Sequence, residues 1–147
     1  MIPKPQFHAG RFFQALGDET RLRLLNLIGE REICVCHLVE VLGAPQPNIS
    51  RHLAYLRSAG LVVARREGRW MHYRILMPPH PGAAEILRQT LALLSEDHAM
   101  RTDLARLAKT CCSPATPANA KLVELHRRLK PQNHSVRLAR RLVEPRR

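Results

Sequence analysis

Apolar residues at helical spacing dominate the first third of the chain. Residues 7–16 repeat them every three or four positions, which predicts a first helix with Ala9, Phe12, Phe13 and Leu16 on one face. Asp18 then precedes a dense apolar run up to Ile28, so we expect a second, buried helix that begins at an aspartate cap. A short extended piece, Glu32 to Cys34, leads into a third helix that ends at Gly43. The inward positions predicted for this helix are Val35, Leu38, Val39 and Leu42.

A fourth helix is predicted from Gln46-Pro47 to Gly60, because proline suits the first helical turn and glycine suits the end of a helix. Its apolar residues form one stripe: Ile49, Leu53 and Leu56. The opposite, polar face repeats at the same spacing: Asn48, Arg51, His52 and Tyr55. This division predicts a helix that packs through one face and binds a partner through the other.

Two strand-like runs, Leu61 to Glu67 and Trp70 to Ile75, flank Gly68 and predict a β-hairpin. Three arginines cluster near its tip: Arg65, Arg66 and Arg69. Helix, turn, helix and basic hairpin together predict a mostly α-helical fold with a small β-hairpin, a winged helix-turn-helix.

A proline-rich break at residues 78–82 precedes a predicted long helix from Ala83 to Lys109. Its apolar stripe repeats every seven residues: Ile86, Leu93, Met100 and Leu107. The predicted core is small and offers no obvious partner for this helix. We therefore interpret it as a dimerisation helix, with the first helix contributing to the same interface. The alternative is that it folds back on its own domain.

The composition changes at Ser113, where a Pro/Ala linker leads into a tail rich in Lys and Arg. We therefore divide the chain into a DNA-binding and dimerisation domain, residues 1–112, and a linker with a basic, partly disordered tail, residues 113–147.

Charge points to a polyanionic partner, since 24 Lys and Arg face 12 Asp and Glu. No run approaches a membrane span and the start lacks the apolar core of a signal peptide, so nucleic acid is preferred over membrane and a cytoplasmic location is expected. The four cysteines form two close pairs, Cys34/Cys36 and Cys111/Cys112, which suit metal or redox chemistry better than a disulfide framework.

Five strings in order resemble the ArsR/SmtB family, over about Phe7 to Cys112. They are Glu19-Thr20-Arg21-Leu22-Arg23, Cys34-Val35-Cys36, the segment from Gln46 to Leu53, Ser58-Ala59-Gly60-Leu61-Val62, and the segment from Glu67 to Arg74. The branch that the chain resembles most is the arsenical-resistance repressors. That resemblance implies a homodimer that binds operator DNA and leaves it when As(III) or Sb(III) binds as inducer.

Candidate DNA contacts follow from this resemblance and from the chemistry of the side chains. On the fourth helix, polar groups suit base edges or phosphates: Gln46, Asn48, Ser50, Arg51, His52 and Tyr55. The predicted β-hairpin is the wing of this fold, and its residues Arg65, Arg66 and Arg69 are placed to bind phosphates or enter a minor groove. The expected operator is an imperfect palindrome with half-sites about one turn apart or more.

The candidate metalloid ligands are Cys34, Cys36, Cys111 and Cys112, because soft ions select thiolates. Relatives with this pattern often carry a third cysteine three residues after the second, where this chain has Val39. Three arrangements therefore stay open. Cys111 or Cys112, from the same or the other subunit, completes the Cys34/Cys36 site; the C-terminal pair forms its own site; or two sulfurs bind a methylated arsenical.

Three other functions make different demands on the cysteines. A cadmium or lead sensor of the same family would add cysteines from an N-terminal extension, and residues 1 to 33 contain none. A thiol redox switch that binds DNA needs no metal. An arsenate reductase needs a nucleophilic cysteine in a phosphate-type loop or a resolving Cys-x-x-Cys, and neither is present, so an enzyme is not expected.

Overall fold

The computed structural model describes residues 6–110. The predicted basic tail, and the Cys111/Cys112 pair, lie outside the described residues. Within them the elements, in chain order, are α1 (Ala9–Leu16), α2 (Glu19–Ile28), β1 (Ile33–Cys34), α3 (Val35–Leu42), α4 (Gln46–Ser58), β2 (Val62–Glu67), β3 (Trp70–Ile75), α5 (Pro81–Glu96) and α6 (His98–Ala108). No helix in this part of the chain is both long and apolar enough to cross a lipid bilayer.

The turn between α1 and α2 is organised by two charged residues. The Asp18 carboxylate caps α2 as predicted, accepting a hydrogen bond from the Arg21 backbone N–H at 3.0 Å. The Arg21 guanidinium turns back and donates to the carbonyl oxygens of Ala15, at 2.9 Å, and Gln14, at 2.7 Å. These carbonyls lie in the last turn of α1, where the regular helical donors four residues on are missing, so Arg21 joins the two helices.

Helices α3 and α4 form the predicted helix-turn-helix. Gly43 ends α3 with φ +61°, a left-handed conformation that glycine adopts without strain. Ile49, Leu53 and Leu56 are fully buried, as the stripe predicted. On α3 the buried positions are Val35, Leu38 and Val41. The expectation that Val39 and Leu42 point inward was only partly right, since both are half-buried.

The hairpin of β2 and β3 is as predicted, with Glu67 opposite Trp70 and a two-residue turn at Gly68 and Arg69. The extended piece predicted at Glu32 to Cys34 is the strand β1, but the sequence did not predict that it pairs with the hairpin. β1 adds to the far side of β3, giving an antiparallel sheet in the order β1-β3-β2. Cys34 lies opposite His72, and His72 lies opposite Arg65 on β2. One row of the sheet therefore connects a cysteine to the wing.

The prediction of one long helix over residues 83–109 was wrong. The chain breaks at Asp97, where ψ is 136°, and the Asp97 carboxylate caps a new helix by accepting from the Met100 N–H at 3.1 Å. Helix α6 packs on α2 and α3, so for this half the alternative of folding back holds. Met100 and Leu107 are buried in this packing, while Ile86 and Leu93 on α5 stay exposed.

A buried ion pair accompanies the docking of α6. Asp103, whose side chain is 3 % exposed, receives two hydrogen bonds from Arg23 of α2, at 2.7 and 2.8 Å. The adjacent Asn26 donates to the Met100 carbonyl at 3.0 Å. These polar contacts fix the register of α6 on α2, because a sliding helix would leave a buried carboxylate without its partner.

Candidate functional site

The polar face of α4 projects away from the core. Gln46, Asn48 and Arg51 are exposed, and Ser50 is half-buried. The Arg51 guanidinium donates to the Asn48 side-chain oxygen at 2.7 Å, so the two groups are neighbours on this face. Together they offer hydrogen-bond donors and acceptors of the kind that pair with base edges in a major groove.

Two other residues predicted on this face have partners within the protein. His52 Nδ1 lies 3.6 Å from the Asp18 carboxylate that caps α2. The Arg21 guanidinium lies 4.2 Å above the centre of the Tyr55 ring, and the Tyr55 hydroxyl donates to the Gln14 side chain at 3.1 Å. His52 and Tyr55 thus join α4 to the turn between α1 and α2, and set the angle at which the helix is presented.

The three wing arginines differ in their surroundings. Arg65 donates to Glu32 through both Nε, at 2.8 Å, and Nη2, and Nη2 also reaches Glu67 at 3.1 Å. Arg66 donates to the Gly68 carbonyl within the hairpin turn at 3.0 Å. Arg69 is exposed and, among residues 6–110, makes no hydrogen bond or ion pair. The tip of the wing therefore presents cations, while Arg65 at its base is held by carboxylates.

The Glu32 carboxylate responds to this contact. The hydrogen bonds from Arg65 hold the pKa of Glu32 below its ordinary value. Neighbouring Arg31 is affected in a different way, since burial lowers the pKa of its guanidinium, and its Nε is buried with no hydrogen-bond partner in the described residues.

The two described cysteines meet where β1 passes into α3. Cys34 is 6 % exposed and occupies the cap position of α3, and Cys36 is half-buried in its first turn. The Cys36 thiol donates to the Cys34 sulfur, and the sulfurs are 2.9 Å apart. This exceeds a disulfide bond of about 2.05 Å, so the pair consists of two adjacent thiols. Both sulfurs can reach a single thiophilic ion.

The described residues do not complete a three-ligand site around this pair. Between residues 6 and 110, no group of three or more His, Cys, Asp or Glu side chains is placed to hold a metal ion. Val39, one turn beyond Cys36, is half-buried. Helix α6 packs on α3, however, and Thr110, the buried residue that follows it, directly precedes Cys111 in the sequence.

Sequence reasoning missed the contacts that join these parts. Neither the pairing of β1 with β3 nor the contact between Glu32 and Arg65 had a periodic signal, because a two-residue strand has no measurable alternation. The aspartate cap predicted at residue 18 was correct, but nothing in the pattern indicated that the same carboxylate would face His52.

Comparison with known proteins gives a family match, similar characterised proteins and a solved structure of similar fold. Residues 18–63 match the model described as "Bacterial regulatory protein, arsR family". The chain is 43% identical over 105 residues to the arsenical resistance operon repressor of Escherichia coli, covering 70% of this chain and 87% of that protein. It is 40% identical over 106 residues to an arsenic resistance transcriptional regulator of Pseudomonas putida, covering 71% and 81%. Among solved structures, HlyU from Vibrio cholerae is 28% identical with a TM-score of 0.51, covering 58% and 89%.

Proposed function

Because the chain belongs to the ArsR family of bacterial regulatory proteins, which are DNA-binding transcription regulators and not enzymes, we propose that it is a repressor that As(III) or Sb(III) releases from its operator. The match to this family confirms the resemblance to ArsR repressors noted in the sequence. The observation that supports metalloid sensing is the pair of sulfurs 2.9 Å apart at the start of α3, the first helix of the helix-turn-helix. A soft ion bound there acts directly on the DNA-binding unit.

The proposed DNA interface combines α4 and the wing. Exposed Gln46, Asn48 and Arg51 are the base-reading candidates, and Ser50 suits a phosphate. Arg66 and Arg69 at the tip of the hairpin bind phosphates or the minor groove, together with Arg65 once it is released. His52 and Tyr55, which have partners in the protein, contribute mainly by holding α4 at its angle.

A homodimer is the proposed assembly. Helices α1 and α5 each leave large apolar side chains in water, with Phe13 54%, Ile86 40% and Leu93 68% exposed. Exposed apolar surface of this kind marks a protein interface, and two copies would present two α4 helices to an operator with two half-sites. The seven-residue repeat therefore serves two purposes in this proposal. Ile86 and Leu93 on α5 are available for dimerisation, whereas Met100 and Leu107 on α6 are buried in the core.

For the metalloid we propose a site of three thiolates, formed by Cys34, Cys36 and either Cys111 or Cys112. Support comes from the packing of α6 on α3 and from the burial of Thr110, which directly precedes Cys111 in the same chain. This deepens one of the three arrangements that the sequence left open. The other two, a separate C-terminal site and a two-sulfur site for a methylated arsenical, become outcomes of the test below.

The proposed mechanism starts from the distance between the sulfurs. Two thiolates on one ion with bonds of about 2.3 Å lie roughly 3.2–3.8 Å apart, for bond angles from 90° to tetrahedral. Cys34 and Cys36 must then move apart from 2.9 Å, and we propose that the start of α3, where Cys34 is the cap residue, takes up part of this adjustment. Because α4 packs on α3, its angle changes. A coupling of about 1–3 kcal/mol would weaken operator binding by about 5- to 150-fold, and DNA would weaken metalloid binding equally.

The test is fluorescence anisotropy of labelled operator DNA with reduced protein, titrated with arsenite. We compare the wild type with Cys34→Ser/Cys36→Ser and with Cys111→Ser/Cys112→Ser. Release of wild type with resistance in both variants supports the shared site. Resistance of the first variant alone assigns sensing to the α3 pair, and resistance of the second alone assigns it to the C-terminal pair. Wild type that stays bound at saturating arsenite contradicts metalloid sensing.

A thiol redox switch is the second candidate, and the same sulfur distance favours it, because neighbouring thiols oxidise readily to a disulfide. Diamide should then release DNA and dithiothreitol should restore binding, whereas arsenite under reducing conditions should have no effect. The two candidates thus give opposite results in one assay.

A further inference from the structure

The base of the wing is tied to the strand that carries Cys34. Glu32 lies two residues before Cys34, and its Oε1 accepts hydrogen bonds from both Nε and Nη2 of Arg65. Arg65 Nη2 also contacts Glu67, whose carboxylate lies 3.5 Å from His72 Nε2. Two carboxylates therefore converge on one guanidinium, and the contact with Glu32 spans the sheet from the residue before β1 to β2 across the central strand β3.

The register of the sheet gives the same connection through the backbone. Cys34 lies opposite His72 and His72 lies opposite Arg65, so the three residues form one row across β1, β3 and β2. Residues directly opposite in a ladder point to the same face of the sheet. Cys34, His72 and Arg65 therefore share a face, and Glu32, two residues from Cys34, shares it as well.

From this arrangement we infer that Glu32 is a positioning residue that transmits the state of the Cys34/Cys36 pair to Arg65 of the wing. The inference rests on the proposed metalloid function and adds a second route to it, separate from the packing of α3 on α4. A displacement of Cys34 moves β1 and the Glu32 carboxylate with it. Metalloid binding thereby favours the Glu32–Arg65 contact that the structure shows, so the guanidinium is held against the protein and is not available to a phosphate.

The expected size of the effect follows from exposure. The Arg65 side chain is 54% exposed and that of Glu32 is 33% exposed, so water and salt screen their attraction. We expect loss of this contact to change the coupling between arsenite and DNA by roughly two- to fivefold, as for exposed ion pairs in general. The backbone pairing of β1 with β3 remains, so the coupling should shrink but not vanish.

The experiment measures the coupling factor, which is the operator dissociation constant with saturating arsenite divided by that without it. The operator is a duplex selected by the wild-type protein from randomised DNA. The full-length variants are Glu32→Gln, Glu30→Gln, Arg65→Gln and the double variant Glu32→Gln/Arg65→Gln. Glu30→Gln is the matched control, because it removes the same charge from an exposed residue that makes no ion pair within residues 6–110.

We expect Glu32→Gln to lower the coupling factor while Glu30→Gln leaves it at the wild-type value. In the Arg65→Gln background, Glu32→Gln should have no further effect, since a residue that acts through Arg65 cannot act without it. Arsenite stoichiometry, measured by equilibrium dialysis, should be the same in all variants. Trp70, the single tryptophan, lies opposite Glu67 in the wing, and its arsenite-induced emission change should shrink in Glu32→Gln.

Three results would overturn the inference. The first is a Glu32→Gln coupling factor equal to that of Glu30→Gln. The second is an effect of Glu32→Gln that is undiminished in the Arg65→Gln background. Both of these leave the proposed metalloid function standing, because the wild type is still released. The third is wild type that binds arsenite and keeps its DNA affinity, which contradicts the proposed function and the inference together.

Discussion

The ion pair between Arg23 and Asp103 allows a quantitative test of how α6 is held. Asp103→Asn keeps the shape of the side chain but removes its charge and replaces one acceptor by a donor that faces the guanidinium. Two charge-assisted hydrogen bonds, at 2.7 and 2.8 Å, are lost or weakened. We therefore expect the substitution to lower the free energy of unfolding.

The expected loss in the free energy of unfolding lies between two limits. Breaking a fully buried pair costs about 3–5 kcal/mol, whereas an exposed pair is worth at most about 1 kcal/mol. Here the Asp103 side chain is 3% exposed but that of Arg23 is 27% exposed, so water can partly solvate the guanidinium that remains. We expect a loss of about 2 kcal/mol.

Urea unfolding followed by far-ultraviolet circular dichroism measures this loss. With a slope of about 2 kcal/mol per molar urea, the midpoint should fall by roughly 1 M. Protein concentration must be held equal, since the proposed dimerisation would shift the apparent stability. Glu96→Gln is the control, because this exposed carboxylate makes no ion pair in the described part of the chain and its loss should change stability by less than about 0.5 kcal/mol. An Asp103→Asn loss no larger than that of the control would refute the reasoning.

Three further predictions concern the helix-turn-helix and α1. Leu53→Ala, at a fully buried position, should cost about 2–5 kcal/mol in urea unfolding, and a loss under 1 kcal/mol would contradict the packing. Gly43→Ala should destabilise the protein because φ is +61° at this residue, whereas Gly10→Ala in α1, where nothing obstructs a Cβ, should stabilise it by about 0.5–1 kcal/mol. If both substitutions shift the melting temperature in the same direction, this reasoning is wrong. Arg51→Ala should weaken operator binding by about 5- to 150-fold, and equal weakening of random DNA would exclude base reading.

Much of the fold could be predicted because its helices, caps and turns depend on residues close together in the sequence. The caps at Asp18 and Gly43, the buried stripe of α4 and the two-residue turn of the hairpin each depend on residues a few positions apart. The cysteine pair was also visible in the sequence, since Cys34 and Cys36 are two residues apart and must be close in any conformation of the chain.

The long helix shows where local pattern was insufficient. A seven-residue repeat reports that one face is apolar, but it does not say what covers that face. An aspartate can lie within a helix or cap one, so Asp97 did not by itself predict a break. In the structure it ends α5 and caps α6. The partner of Asp103 is Arg23, 80 residues away, and no spacing rule connects them.

The sequence alone therefore determined the class of fold, the apolar and polar faces of α4, the thiol pair and the family, because helical periodicity, capping and short motifs are properties of neighbouring residues. Tertiary structure alone decided that α6 returns to the core, that Asp18 faces His52, and that β1 joins the wing through Cys34 and Glu32. These contacts join residues distant in sequence, and their free energy depends on burial and exact approach, which exist only once the chain has folded.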